Sequence, residues 1–524
     1  MTTNRRLETD VLVIGCGIAG ASAALAAAKE GLRVVVISKN SALEQSNTFY
    51  AQGGIVSLGP DDDPELLKDD IIKAGDGINN PDAVEILARE SKALVENILI
   101  GELKIAFTRN SPGHLDYAQE AGHSRRRILH IKDTTGETIE EKFLGALKKY
   151  PNVMLLNAHT AVDLLTVPHH SKNPIAYYRR PQCIGAYVLD NAANTVMSIF
   201  AGRTILATGG CGAVYLHTSN PKDSIGEGYA MAHWAGARIV NMEYIQFHPT
   251  TLYHRDADSF LISETVRGEG ARLKTREGRT FMEKYSDQKD LAPRDEVARA
   301  IYEEMINSNS ENVVLDLASY AKVDIRKRFP NIYKTCKRYG IDITKEPIPV
   351  VPAAHYCCGG VLADGWGKTT LEGLYAVGEV SCTGLHGANR LASTSLLEGL
   401  VWGTRAARQI AERFDPTISY RASDIHDWYY PEVEEAIDPA LINQDWLTIR
   451  TTMWNYAGII RTRKRLERAN SDLEYLKHRI EKFYKEAAMD IKIVGLKHGI
   501  QVALMITHAA LANPVSLGAH YLKA

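Results

Sequence analysis

The sequence predicts an α/β protein whose parallel sheet is assembled from distant parts of the chain, with an inserted α+β segment and a helical tail. Three observations predict it. A short β-branched run, Asp10-Val11-Leu12-Val13-Ile14, leads through glycines 15, 17 and 20 into an alanine-rich stretch that stops at Gly31, and Arg33-Val34-Val35-Val36-Ile37 follows. This is a strand, a helix and a second strand, with a glycine turn at the first junction. Two later runs, Ile205-Leu206-Ala207-Thr208-Gly209-Gly210 and Leu374-Tyr375-Ala376-Val377-Gly378-Glu379, again carry a buried strand into glycine. From about residue 420 the texture changes, and Leu473, Leu476, Ile480 and Phe483 recur at spacings of three and four, the stripe of an amphipathic helix. Residues from about 237 to 350 mix strand and helix signals without a second glycine fingerprint, which reads as an insertion.

Composition bounds the rest. The 524 residues allow about three domains at roughly 150 residues each, enough for a large core and for clefts between domains. Lys plus Arg number 61 and Asp plus Glu 63, a formal charge of -2 that leaves no global field for nucleic acid or an anionic membrane. The seven cysteines form no CxxC pair, so zinc-ribbon and iron–sulfur spacings are missing and a reducing, cytoplasmic compartment is expected. Val11 to Ala28 carries no charge and follows Arg5 and Arg6, which resembles a signal peptide or a membrane span. Its glycines, and the apolar strand directly after it, favour a buried strand, turn and helix.

The glycine spacing Gly15-Cys16-Gly17-Ile18-Ala19-Gly20 is the Rossmann-like fingerprint of a dinucleotide site. Gly15 permits the tight turn, Gly17 lets a pyrophosphate approach the backbone, and Gly20 lets the helix pack on its strand. The second strand ends at Ser38-Lys39, where an acidic residue usually meets the ribose, so Lys39 leaves NADP open. Glu379, closing the third strand, could hold a ribitol or ribose hydroxyl.

Between these strands lie stretches dense in Arg, His and Glu, which read as a site for anions. They are Glu120 to His130, Gln246-Phe247-His248-Pro249-Thr250, Ser263-Glu264-Thr265-Val266-Arg267-Gly268-Glu269-Gly270, Ala292-Pro293-Arg294-Asp295, His355-Tyr356-Cys357-Cys358-Gly359-Gly360, and His386-Gly387-Ala388-Asn389-Arg390 with Ser393-Thr394-Ser395. Each has a bland reading. Arg125 to Arg127 read as a solvated run, Arg294 as paired with Asp295 or Glu296, and the basic cluster Arg461, Arg463, Lys464, Arg465 and Arg468 as a solvated helix face. Metal ligation by His248 and His355 lacks a third ligand at a supporting spacing, so no metal is expected.

Taken in order, these segments resemble the succinate dehydrogenase and fumarate reductase flavoprotein superfamily and, within it, the L-aspartate oxidases. The resemblance covers nearly the whole chain, and its most specific pieces are Thr48-Phe49-Tyr50-Ala51-Gln52-Gly53-Gly54, Gln246 to Thr250, Arg267 to Gly270, Pro352-Ala353-Ala354-His355-Tyr356 and Gly384 to Arg390. It implies a two-part FAD-binding domain over 1–236 and 352–415, a capping domain over 237–351 and a helical domain over 416–524. It places FAD against Gly15, Cys16, Gly17, Ile18, Ala19, Gly20, Lys39, Asn47, Thr48, Phe49, Tyr50, Ala51, Gln52, Gly53, Gly54, Glu227, Glu379, Ser395 and Leu396. Within that family Ser38-Lys39 is ordinary, and NADP drops out. Respiratory relatives attach flavin through a His where this chain has Asn47, so noncovalent FAD is expected.

The resemblance further implies oxidation of L-aspartate to 2-iminosuccinate, with reoxidation by O2 or fumarate, at the start of NAD biosynthesis and coupled functionally to quinolinate synthase. His355 and Arg390 are expected on one carboxylate, and His248 with Ser263 and Glu264 on the other. Arg294 is expected as the proton-transfer residue, and Glu120 facing the substrate ammonium. A soluble fumarate reductase is the alternative reading. Where family tails commonly read Ser-Arg-Gly-x-His, this chain has Leu517 in place of that Arg, which puts any interaction made by it in doubt.

Overall fold

Nine residues, Arg6–Ile14, form the central strand β1, because their β-branched side chains fit a sheet covered on both faces. The computed structural model describes every residue except 1–4, 42–44, 112, 121, 133, 258–259, 416–421, 432–435 and 524. Helix α1 (Ile18–Lys29) follows, and strand β2 (Val34–Ile37) returns parallel to β1. The small alanines of α1 let it lie almost fully buried between the sheet and the helix Ser395–Glu412.

On the other side of β1 runs Thr195–Leu206, a twelve-residue strand with two partners along one edge. Its first half pairs antiparallel with Cys183–Asp190, and its last three residues pair parallel with Leu374–Ala376. Residues far apart in the chain therefore complete one seven-stranded sheet. A separate four-stranded sheet is built from Ile245–Leu252, Arg272–Lys274, Val313–Asp316 and Ile348–Cys357. The strand Ile348–Cys357 runs unbroken through the expected junction at 351/352. The other expected junction, at Pro416, lies outside the described residues.

Three helices, Pro439–Tyr456, Arg463–Glu486 and Ile491–Ala512, pack on one another in the tail. Leu473, Leu476 and Ile480 are the buried stripe of the second. The uncharged stretch Val11 to Ala28 is the buried strand, turn and helix just described, and among the described residues no helix is long and apolar enough to cross a membrane.

The helix Ile491–Ala512 carries His498, whose ring meets Trp234 at 5.3 Å and bonds the Val162 carbonyl at 3.0 Å. Burial pushes its pKa down to about 3. A base with a depressed folded pKa stays neutral when folded but takes a proton when unfolded, so its contribution to stability is present above about pH 6.5 and is lost as pH falls towards the folded value. His498→Gln should therefore flatten the acid side of the stability profile by about 1.4 kcal/mol per pH unit between about pH 6.5 and 4. Urea denaturation of parent and variant across that range checks it; parallel profiles refute it.

Candidate active site

The parallel strands end level with one another. Ile14 pairs with both Ile37 and Leu206, and Leu206 pairs with Ala376. The chain leaves these ends at Gly15, Ser38, Ala207 and Val377, all of which line one long cavity. Ligands of open α/β sheets bind at such carboxyl ends. Gly15 adopts a φ of +111°, and a Cβ there would sit 2.2 Å from the Ala207 carbonyl oxygen. A Cβ on Gly20 would sit 2.0 Å from the Gly15 carbonyl oxygen, so this crossing of strand and helix tolerates only glycine.

Helix α1 begins at Ile18 without a side-chain cap of its own. Thr48 Oγ1 accepts from Ile18 N at 3.0 Å, tying the segment around Asn47 to Gln52 to the helix N-terminus. The N-terminal amides and helix dipole make an anion seat on the cavity wall. Also on that wall, Lys39 bonds Glu227 and the Asp223 carbonyl. Glu379 accepts from Cys357 N at 3.0 Å, and burial raises its carboxyl to about 8. At neutral pH that side chain is an uncharged acid, able to donate as well as accept. Gln52 Oε1, Thr208 Oγ1 and Arg390 Nε, on residues lining the cavity, are buried without a hydrogen-bond partner in the protein. An elongated dinucleotide with a central pyrophosphate and a polar ring fits these groups, which are the shape and chemistry of FAD.

Of the expected cofactor residues all line the cavity except Gly20 and Phe49; Gly20 acts through its packing on Gly15. All seven expected substrate and catalytic residues line the same cavity. His248 lies on Ile245–Leu252, where Pro249 interrupts the ladder and the register shifts. Opposite, Gln246 pairs with Tyr356 and Phe247 with Ala354, so His355 is the extra residue of a β-bulge. The two imidazoles face each other at 5.3 Å. Ser219 Oγ meets His355 Nδ1 at 2.6 Å, and Thr250 N donates to His248 Nδ1 at 3.2 Å.

Arg294 opens the helix Arg294–Asn307, but its partner is neither Asp295 nor Glu296. Its Nε donates to Glu264 Oε2 at 2.7 Å, and its Nη1 approaches Gln246 Oε1 at 3.4 Å. Glu264 Oε1 also meets Arg267 Nη2 at 3.1 Å. Arg390 donates to Gln246 Oε1 at 3.2 Å and to Ser395 Oγ at 3.3 Å, with its guanidinium 4.5 Å from the Tyr356 ring. Tyr356 in turn donates to Glu398 at 2.6 Å, and His386 meets the same oxygen at 3.0 Å. Across the cavity Ser393, at a φ of +55°, donates to Glu120 Oε2 at 2.7 Å.

Burial would raise the Glu264 carboxyl, but Arg294 and Arg267 outweigh it and hold it below its usual range. Burial alone would lower Arg294, yet Glu264 and Glu120 hold it above the ordinary arginine value. Burial, then the neighbouring arginines, pushes His248 and His355 well down. At neutral pH the wall thus carries arginine cations, two uncharged imidazoles and the Glu264 anion, with the Glu120 side chain opposite.

Sequence reasoning missed Ser219, a single hydroxyl that no motif marks, and it named Ser393 within a candidate stretch without foreseeing its bond to Glu120. It misread two arginines. Arg127 is fully buried between Asp62 and Asp70, and Arg461 is fully buried against His520 and the Glu243 carbonyl. Their partners lie far away in sequence, so neither belongs to a solvated run.

The family model for the FAD binding domain matches residues 10–396, and that for the fumarate reductase flavoprotein C-terminal region matches residues 447–523. L-aspartate oxidase 1 of Ralstonia nicotianae is 43% identical over 98% of this chain and 95% of its own length. The L-aspartate oxidase of Halobacterium salinarum is 41% identical, over 98% and 96%. Among solved structures, a variant of E. coli quinol fumarate reductase FrdA matches 99% of this chain and 92% of its own, with a TM-score of 0.89 at 27% identity. Mycobacterium smegmatis Sdh1 matches 99% and 89%, with a TM-score of 0.82 at 27% identity. The fold, the strand-end cradle and the full-length relatives agree, and the chain belongs to the L-aspartate oxidase family of FAD-binding fumarate reductase flavoproteins.

Proposed function

We propose that the protein oxidises L-aspartate to 2-iminosuccinate with FAD and passes the electrons to O2, giving hydrogen peroxide, or to fumarate, giving succinate. One observation carries this reading: Arg294, Arg390, two neutral histidines and Glu120 converge on a single cavity continuous with the strand-end cradle. Bound in the cradle, FAD supplies a two-electron acceptor for hydride. His355 and Arg390 grip one carboxylate, and His248 with Ser263 of the Ser263-Glu264 segment the other, while the Glu264 carboxylate stays on Arg294 and Arg267. Neutral imidazoles suit this task, because they donate without adding charge to a wall already rich in arginine. Two fixed grips hold the Cα–H in one orientation, and positioning supplies much of the rate in such a transfer. Glu120 receives the ammonium and disfavours a bare dicarboxylate. Arg294, held protonated by its acidic neighbours, is poised to give a proton to fumarate when fumarate is the acceptor.

As an aspartate oxidase the protein opens NAD biosynthesis, and because 2-iminosuccinate hydrolyses readily, functional coupling to a quinolinate synthase in the same, cytoplasmic, compartment is favoured. FAD is held noncovalently, since the amide of Asn47 cannot form the histidyl link of respiratory relatives. The domain division runs 1–236 and 352–415 for FAD, 237–351 for the cap and 416–524 for the helical part.

Anaerobic addition of L-aspartate should bleach the flavin, and air or fumarate should restore it; a colour that persists refutes the reading. Acid precipitation should leave the flavin in the supernatant, whereas yellow pellets would mean a covalent bond. Glu120→Gln should cost aspartate oxidation roughly 30-fold or more, the scale of an unpaired buried charge, while fumarate reduction falls far less. Equal loss of both activities removes Glu120 from substrate selection. Arg294→Lys should keep flavin bound while kcat for fumarate reduction drops by about 10²–10³, the range of a lost proton-transfer group. Near-normal kcat would strike Arg294 from the mechanism.

A further inference from the structure

The segment 517–523 touches three of the elements that deliver side chains to the site. Ala519 N donates to the Ala388 carbonyl at 3.0 Å, two residues before Arg390. Gly518, at a φ of +50°, lies so close that a Cβ would meet the same carbonyl oxygen at 2.6 Å. His520, fully buried, accepts from Arg461 Nη1 at 2.6 Å, and the same nitrogen of Arg461 donates to the Glu243 carbonyl at 2.8 Å, just ahead of the strand that carries His248. Tyr521 presents its ring to Arg299 at 5.0 Å, and Lys523 reaches Glu303 at 3.5 Å, both on the helix that Arg294 opens. Leu517, where relatives commonly have Arg, packs on the small apolar cluster of Tyr244, Tyr356, Cys358, Ala388 and Ala519.

We propose that residues 517–523 form a positioning strap that sets the Arg390 loop, the His248 strand and the Arg294 helix at their working separation. None of its residues lines the substrate cavity, so it acts through those elements. The proposal rests on the aspartate oxidase reading for its substrate but not for its geometry. The two ends of the strap touch different elements. Disturbing Gly518 moves the loop that binds a carboxylate, whereas disturbing Tyr521 moves the helix whose first residue handles the proton.

The test compares holoenzyme variants with the parent for flavin content, aspartate and fumarate kinetics and the Kd of succinate read from perturbation of the flavin spectrum. Gly518→Val should raise the KM for L-aspartate and the Kd of succinate together, about tenfold, with kcat within twofold. Tyr521→Ala should lower kcat for fumarate reduction, the direction in which Arg294 gives its proton, about fivefold or more with little change in KM, and Tyr521→Phe, which keeps the ring over Arg299, should restore it. Flavin content should stay at the parent level throughout. If neither variant changes kinetics, or if KM, kcat and flavin content deteriorate together as in simple loss of packing, the strap is overturned. Should Gly518→Val fail to fold, the Tyr521 pair decides alone, and an unchanged kcat in Tyr521→Ala overturns it. A parent enzyme that binds succinate but does not oxidise aspartate would refute the function while the succinate titration still reads the strap.

Discussion

Arginine cations gathered in a space sheltered from water are the constraint around which the rest of the site is organised. Removing a guanidinium from water costs several kcal/mol unless partners compensate. Glu264 supplies one such partner and is shared between Arg294 and Arg267. Among the described residues Arg390 has no carboxylate of its own; it lies on the Tyr356 ring, whose hydroxyl is bound to the Glu398 and His386 pair beneath. Negative charge thus reaches Arg390 through an aromatic face instead of by direct contact. A nearer acid would neutralise the arginine and compete with an incoming carboxylate. The histidines stay uncharged because burial disfavours their charged form and the neighbouring arginines add to that cost.

The cofactor cradle answers a different demand, the close approach of backbone to ligand. Level strand ends bring four chain exits to one line, and glycine at the first exit lets the chain turn under the Ala207 carbonyl. The cradle and the arginine wall line the same cavity, so one space serves both.

Much of this was legible in the sequence. The fingerprint at 15, 17 and 20, the strands into Gly209 and Gly378 and the amphipathic stripe at 473–480 all follow local rules of periodicity and turn chemistry. The motif residues from Glu120 to Arg390 were recognisable because each sits among others of its kind. Partnership was not legible. Arg127 and Arg461 look like members of charged runs, and only folding brings Asp62, Asp70 and His520 to them. Ser393 holds Glu120 from a left-handed backbone that no local signal demands of a serine, and the bulge at His355 depends on the register of a partner strand a hundred residues earlier.

The split partnership of the strand Thr195–Leu206 has a consequence for biogenesis. Its final residues find their parallel neighbour only at Leu374–Ala376, and the helix that covers α1 begins at Ser395. A nascent chain on the ribosome owns the fingerprint long before the strand Leu374–Ala376 and the helix Ser395–Glu412 that complete the sheet and cover α1 have been made. Such long-range pairings close slowly, so cofactor capture is a late event in the life of the polypeptide, and until then the apolar underside of α1 must be shielded by other means.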